Sequence, residues 1–298
     1  PRGSPSIRTD PMRARALIDL ARPAQWIKNG FVLLPVIFAQ ALFDARALVG
    51  ALLATLAFCL ASSAVYAGND AVDAERDRRH PDKCRRPVAR GAVTHRQALL
   101  FAAMLALLAF TVATFDGRAL VVVLLSYLLL QAAYTLALKR VAYVDAVVVA
   151  AGFVLRIVAG GVGAGVPLTP WIVIMGFLLA LMLALGKRHG DLVHATDPRA
   201  RAVRSYRRLP LEWALTAVGG ATVSAYVLYT LSPQVLARHG HHPLIFSTPW
   251  VAVGLLRYLA LVLRRGAGGD PSRLALSDPI LLLAVGGWLL TLGVILYR

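Results

Sequence analysis

Asn69, Asp70, Asp73 and Asp77 are the residues of this chain best placed to do chemistry, because they gather where a long apolar run breaks into a basic loop. A helix turns about 100° per residue, so Asn69, Asp73 and Asp77 fall one above another with Asp70 beside them. Directly after them come Arg76, Arg78, Arg79, Lys83, Arg85, Arg86 and Arg90. Carboxylates at the edge of an apolar helix need compensation from a metal or from cations. Magnesium takes a few carboxylates and keeps its other positions for water or substrate phosphates. The stretch therefore suits Mg2+ with a polyphosphate; the plainer alternative is a solvated helix end salt-bridged to the arginines that follow.

Further polar groups fall in the same kind of place. Gly186-Lys187-Arg188-His189-Gly190-Asp191 follows the sixth apolar run. Asp191 could share a metal there, and Lys187 and Arg188 could neutralise phosphate, Arg by bidentate contacts; on charge alone it is only a basic connection. Asp197, Arg204 and Tyr206 follow in the same loop. Arg156 lies deep in the fifth run and Asp145 near its start, so both are expected to face the bundle interior. Arg156 then either binds a phosphate or pairs with a buried acid. Near the N-terminus, helical spacing puts Arg22, Gln25, Trp26 and Asn29 on one face with Lys28 to its side, which is either interfacial anchoring or a polar site. His239, His241 and His242 read as a solvated loop, on the opposite side from the carboxylates. No Ser/His/Asp or Cys/His arrangement is suggested by position. Cys59 and Cys84 carry neither a disulfide framework nor a metal cluster.

The elements that must hold these groups are membrane spans. Of 298 residues 58% are hydrophobic and only 16% charged, with mean hydropathy +0.66, which is far too apolar for a soluble domain of this length. About 20 mostly apolar residues span a bilayer, and nine such segments can be read, at 24–42, 47–69, 96–115, 118–138, 142–163, 169–187, 210–232, 244–263 and 277–297. The net charge of +17 sits in alternate connections: Arg13 to Lys28, Arg76 to Arg90, Lys139 and Arg140, Lys187 to Arg208, and Arg264 to Arg273. The other connections are short and nearly uncharged. Nine spans with the N-terminus cytoplasmic obey the positive-inside rule throughout, and that topology, rather than nucleic-acid binding, accounts for the charge. Gly160, Gly161, Gly163 and Gly165 follow no strand and fit close helix packing, or the turn before Pro167, better than a phosphate loop. Residues 1–10, opening Pro1-Arg2-Gly3-Ser4, read as an expression scar or tail, and 11–298 as a single transmembrane helical domain whose first apolar run is retained as a span.

The run Asn69-Asp70-x-x-Asp73-x-x-x-Asp77, followed by Lys83 and Arg86-Pro87, resembles the first aspartate-rich signature of the UbiA superfamily of intramembrane prenyltransferases. The resemblance implies an all-α, nine-helix membrane bundle. The second aspartate-rich motif of that superfamily is here reduced to Gly186-Lys187-Arg188-His189-Gly190-Asp191. That departure is similar to the branch that transfers phosphoribosyl groups, as are Arg22 to Asn29, Ser63-Ala64-Val65-Tyr66, Leu155-Arg156, Ala159 to Val162, Leu256-Arg257-Tyr258 and Ala275 to Asp278. The branch implies transfer of a 5-phosphoribosyl group from phosphoribosyl diphosphate to a polyprenyl (decaprenyl) phosphate, in synthesis of cell-wall arabinan precursors. Its implied site has Asn69, Asp70, Asp73 and Asp77 on Mg2+, Asp73 and Asp77 catalytic. Arg22, Gln25, Lys28, Asn29, Tyr66, Lys83, Arg86, Lys139, Arg156, Lys187, Arg188, Asp191 and Tyr206 are its substrate-binding set, at the cytoplasmic face of the inner or plasma membrane. Homo-oligomerisation follows from the resemblance only. Two rival readings are a prenyltransferase moving an isoprenoid from its diphosphate to an aromatic or other small acceptor, and a lipid or phosphate-substrate transporter. Clustering of the acids at one face, without an inverted repeat, disfavours the transporter.

Overall fold

A computed structural model describes residues 11–193, 210–233, 235–236, 244–269 and 271–297. The described residues are mostly helical, with no strand among them. After α1 (Pro11–Ala21) comes a 3₁₀ segment (Pro23–Leu33) that runs into the short α2 (Leu34–Phe38). Then follow α3 (Ala45–Val72), α4 (Ala74–Arg78), α5 (His95–Asp116), α6 (Arg118–Leu136), α7 (Val144–Ala164) and α8 (Pro170–Val193). The chain closes with α9 (Leu211–Thr230), α10 (Thr248–Arg265), α11 (Pro271–Ser277) and α12 (Pro279–Tyr297). Among the described residues eight helices are long and apolar enough to cross a membrane: α3, α5, α6, α7, α8, α9, α12, and α10 with the 3₁₀ turn before it. The first expected span, 24–42, is instead the composite of 3₁₀ segment and α2. It does not qualify as one continuous helix.

Burial divides these helices by role. In the most apolar window of α3 56% of the residues are buried and in α7 50%, against 17% in α6. The two inner helices therefore carry side chains that meet protein on most sides, while α6 turns one face to the bundle and the other outward. The inner face of α3 is lined with alanines, Ala54, Ala57, Ala61, Ala64, Ala67 and Ala71, at helical spacing, so neighbours approach its backbone closely. α7 comes closest. A Cβ on Gly50 of α3 would collide with the carbonyl of Gly163, and one on Gly160 with the carbonyl of Val32 in the 3₁₀ segment. The glycine-rich stretch of α7 is thus a packing surface, and Gly165, at φ 64, caps the helix in the left-handed conformation.

Local sequence sets the ends that matter for the site. Asp44 caps α3 by accepting from the backbone N–H of Arg46 and Ala47 at 2.9 and 3.2 Å. Thr94 and Gln97 form a capping box that restarts the chain as α5 after the basic loop. Twenty-eight residues make α3 about 42 Å long, well beyond a hydrocarbon core of about 30 Å. Its last turn, with Asn69 and Asp70, is carried past the apolar layer.

Candidate active site

A cleft of about 340 Å³ opens at that end of the bundle, bounded by the 3₁₀ segment, α3, α6, α7, α8 and the turn after α10. Its walls carry Arg22, Gln25, Lys28, Tyr66, Asn69, Arg156, Lys187 and Arg188, eight of the residues expected to bind substrate or metal. Tyr127, Gln131, Tyr134 and Phe153 line it as well.

The acidic stretch is not one continuous helix. α3 stops at Val72, Asp73 sits at the junction with φ −90° and ψ 4°, and α4 restarts at Ala74. The i to i+4 bonds from the Asp73 N–H to Asn69 and from the Asp77 N–H to Asp73 persist, both at 2.9 Å. The four side chains nevertheless turn to different partners instead of sharing one face. Asp70 is buried, and its Oδ1 accepts from Arg22 Nη2 and, at 3.1 Å, from Arg86 Nη1. The same Arg86 nitrogen donates to Oδ2 of buried Asp77 at 2.7 Å. Asp73, 28% exposed, receives Lys139 Nζ at 3.2 Å on both oxygens. Asn69 Oδ1 accepts from the Thr135 hydroxyl of α6 at 2.8 Å. Two elements make the split: the basic loop folds back and inserts the Arg86 guanidinium between Asp70 and Asp77, while α6 and the turn after it engage Asn69 and Asp73.

These residues fit a divalent cation. Their donors are all hard oxygens, and Asp70 Oδ2 is buried with no hydrogen-bond partner. Among the described residues no three His, Cys, Asp or Glu side chains converge on one point. Asp191 accordingly does not join the acids of α3 and α4. A metal that takes one or two carboxylates and completes its shell from phosphate suits such a set.

Lys83 is exposed beside this junction. Loss of water around its ammonium, then the Arg86, Arg76 and Lys187 cations, push its pKa below the ordinary lysine value against the pull of Asp77.

Gly186 to Asp191 belongs to α8, not to the connection after it, since the helix runs on to Val193. The extension is seated by backbone contact: a Cβ on Gly268 would strike the Gly186 carbonyl, and one on Gly190 would crowd the backbone of Gly268 and Gly269. Arg188 is held on three sides, by Asp145 at 2.6 Å, Asp191 at 3.1 Å and the Tyr134 hydroxyl at 3.0 Å. Lys187 is exposed and makes no ion pair among the described residues. Asp197, Arg204, Tyr206 and the three histidines at 239, 241 and 242 lie outside the described residues.

Arg156 and Asp145 are both buried, as expected, but not with each other. Arg156 donates from Nε to Asn29 Oδ1 at 2.8 Å, from Nη1 to the Gly152 carbonyl at 2.9 Å and from Nη2 to the Tyr127 hydroxyl at 3.1 Å. Its guanidinium lies 4.9 to 5.7 Å from the ring centroids of Tyr127, Phe153 and Phe58. No buried acid among the described residues pairs with it, which removes that alternative.

The N-terminal group also divides differently from the expectation. A 3₁₀ helix has three residues per turn, so Gln25 and Lys28 go to the cleft while Trp26 and Asn29 turn to α3. Trp26 Nε1 donates to Ser63 at 2.9 Å, and Asn29 Nδ2 reaches Cys59 at 3.2 Å and Ser62 at 3.4 Å. Asn29 thereby acts by fixing Arg156. Arg22, in the left-handed region at φ 52, stacks 5.0 Å over the Tyr66 ring on its way to Asp70. Residues that sequence reasoning passed over are Tyr127, Gln131, Tyr134 and Thr135 of α6. Their signal was available, because polar groups at 127, 131 and 134 form one helical face in an otherwise apolar run.

Comparison with known proteins finds relatives in both sequence and fold. The UbiA prenyltransferase family is matched over residues 32–282. The decaprenyl-phosphate phosphoribosyltransferase of Corynebacterium glutamicum is 32% identical, over 95% of this chain and 87% of that protein. The enzyme of the same name from Mycolicibacterium smegmatis is 33% identical, over 94% of this chain and 92% of that one. In fold, the chain is similar to a UbiA homolog from Archaeoglobus fulgidus bound to GPP and Mg2+, with a TM-score of 0.69 at 17% identity, covering 94% of this chain and 96% of that one.

Proposed function

The chain belongs to the UbiA prenyltransferase family, and on that premise we propose that it transfers a 5-phosphoribosyl group from phosphoribosyl diphosphate to decaprenyl phosphate, releasing diphosphate. The observation that carries this reading is the surplus of cations in one cleft, where Arg22, Lys28, Arg156, Lys187 and Arg188 surround a volume of about 340 Å³ beside the acidic junction. Two phosphorylated substrates bring the negative charge that such a surplus requires. The named activity of the Corynebacterium and Mycolicibacterium relatives agrees.

Asn69, Asp70, Asp73 and Asp77 would hold Mg2+, which when bound supplies neutralisation of the leaving diphosphate. Arg86, Lys139 and Lys83 stand around those carboxylates and take phosphate oxygens by charge-assisted hydrogen bonds. Arg156 and Lys187, neither paired with a carboxylate among the described residues, take the remaining phosphate charge. Arg188, fixed by Asp145 and Tyr134, and Tyr66, under Arg22, position the walls. The acceptor arrives already ionised, so no protein nucleophile or base is needed. The protein's work is to align the lipid phosphate with the anomeric carbon opposite the leaving group, and to exclude water. Inversion at that carbon follows.

The protein is a multi-pass membrane protein. In the proposed topology the 3₁₀ segment and α2 make a ninth crossing. Eleven residues at about 2.0 Å and five at about 1.5 Å give roughly 30 Å, the thickness of the hydrocarbon core. The N-terminus and the cleft then lie at the cytoplasmic face of the plasma membrane, where the basic loops belong.

The test is direct. Detergent-purified protein is incubated with Mg2+, phosphoribosyl diphosphate labelled in the ribose, and polyprenyl phosphates of several chain lengths. Labelled lipid is the expected product, and chelation stops its formation. Absence of labelled lipid, with turnover of an allylic diphosphate onto an aromatic acceptor instead, would assign the chain to ordinary prenyl transfer.

A further inference from the structure

We propose that Arg86 is a built-in counterion that closes the acidic junction to a bare divalent cation and yields to one that arrives with diphosphate. The inference rests on the reading of that junction as a metal and diphosphate site, and adds an order to it. A single nitrogen, Nη1, bridges Asp70 Oδ1 at 3.1 Å and Asp77 Oδ2 at 2.7 Å. A cation binding both carboxylates must occupy the ground that Nη1 now holds. The bridge is incomplete, because Asp70 Oδ2 is buried with no partner, and an orphaned buried acceptor is costly. The junction is thus charged enough to need a cation and already holds one that satisfies it only in part.

The difference between the two incoming species lies in what happens to the displaced guanidinium. A bare divalent ion would leave Arg86 next to a like charge with only water in place of its two carboxylates, where Arg22 and Lys139 are already engaged. A cation carrying diphosphate brings phosphate oxygens that the same guanidinium can grip in bidentate fashion. Arg86 is free to make that exchange. Its side chain is 27% exposed, and it stands in extended backbone after a 3₁₀ turn (Lys83–Arg85), outside any helix. The junction is therefore selective for the metal–diphosphate complex.

The experiment measures binding, not turnover. Protein-bound Mn2+ is determined by equilibrium dialysis of the full chain in detergent, with and without inorganic diphosphate, for the wild type, Arg86→Gln and Arg86→Lys. The wild type should bind bare Mn2+ weakly and gain at least about tenfold from diphosphate, as expected for relief of one like charge at ion-pair distance. Arg86→Gln should bind bare Mn2+ about tenfold more tightly than the wild type and lose most of the gain. Arg86→Lys should stay near the wild type without diphosphate. Since Arg86→Gln leaves two buried carboxylates facing each other, thermal unfolding is followed in parallel, and Mn2+ should raise its Tm more than that of the wild type. Unchanged or weaker binding of bare Mn2+ by Arg86→Gln, or a Tm that does not respond to Mn2+, overturns the proposal. A wild type that binds no Mn2+ even with diphosphate overturns the metal reading of the junction and this inference with it. Mn2+ binding as expected without any labelled lipid in the transfer assay removes the donor assignment and leaves the counterion standing.

Discussion

At the acidic junction each of the three aspartates already has a cation: Asp70 meets Arg22 and Arg86, Asp77 meets Arg86, and Asp73 meets Lys139. Around Arg156 the reverse holds, since a buried guanidinium is surrounded by an amide, a phenol, a backbone carbonyl and three aromatic rings, with no carboxylate among the described residues. The first region is near neutrality and can change ligands by exchanging one ion pair for another. The second keeps its charge in place with neutral acceptors and ring faces, which position a cation without neutralising it. Charge balance thus separates a part of the site built for exchange from a part built to wait for an anion.

Four substitutions would break or sharpen that contrast. Asp73→Ala removes the more exposed carboxylate of the junction and should lower turnover in the labelled-lipid assay by about 10³-fold, the scale of losing a preorganised charge at the reacting group. Its thermal unfolding should stay close to wild type, because Asp73 is partly solvated; near-normal Mg2+-dependent turnover would take it out of the site. Arg156→Ala should cost about 10²-fold in kcat/KM, and it empties a buried position, so unfolding must be measured with it. Arg156→Lys should not rescue, since a point charge cannot serve Asn29, Gly152 and Tyr127 together. Rescue by lysine would mean that only the charge matters. Tyr127→Phe deletes one hydrogen bond to Arg156 and keeps the ring beneath it, for an expected loss of about fivefold in kcat/KM, or roughly 1 kcal/mol.

The smallest effect concerns Lys83. Its depressed pKa means that the charge is lost at lower pH than for an ordinary lysine. KM for the donor should therefore rise on the alkaline side, and Lys83→Arg should flatten that limb. In stability the sign is opposite. The unfolded chain binds the proton more tightly, so this group makes folding more favourable as pH rises through its folded pKa towards the unfolded value. An alkaline limb identical in wild type and Lys83→Arg would separate Lys83 from donor binding.

Much of this site could be read from residue types. Asn69 to Asp77 announces itself by composition, and Lys139 and Arg156 by their positions at the end and in the depth of apolar runs. What could not be read is which partner each would take. Arg86 reaches two carboxylates only because the loop from Arg79 to Val93 folds back, and no periodicity in that loop encodes the return. α8 passes its expected end at 187 because Gly186, Gly190 and Gly268 let two backbones touch, a contact between positions far apart in sequence.

The 3₁₀ segment has a consequence for how this chain can vary. With three residues per turn its side chains stand in three straight rows. One row, Gln25, Lys28 and Phe31, faces the cleft and Phe153; a second, Trp26, Asn29 and Val32, is committed to α3 and the core; a third, Ala24, Ile27 and Gly30, is exposed. Such a prism has a reading frame. Insertion of one residue between Pro23 and Ile27 would rotate everything beyond it by about 120°, presenting Ile27 to the phosphates and sending Lys28 towards α3; deletion of one would rotate it the other way, turning Lys28 to the exposed row and Asn29 to the cleft, whereas a change of three residues would restore each row to its own neighbour.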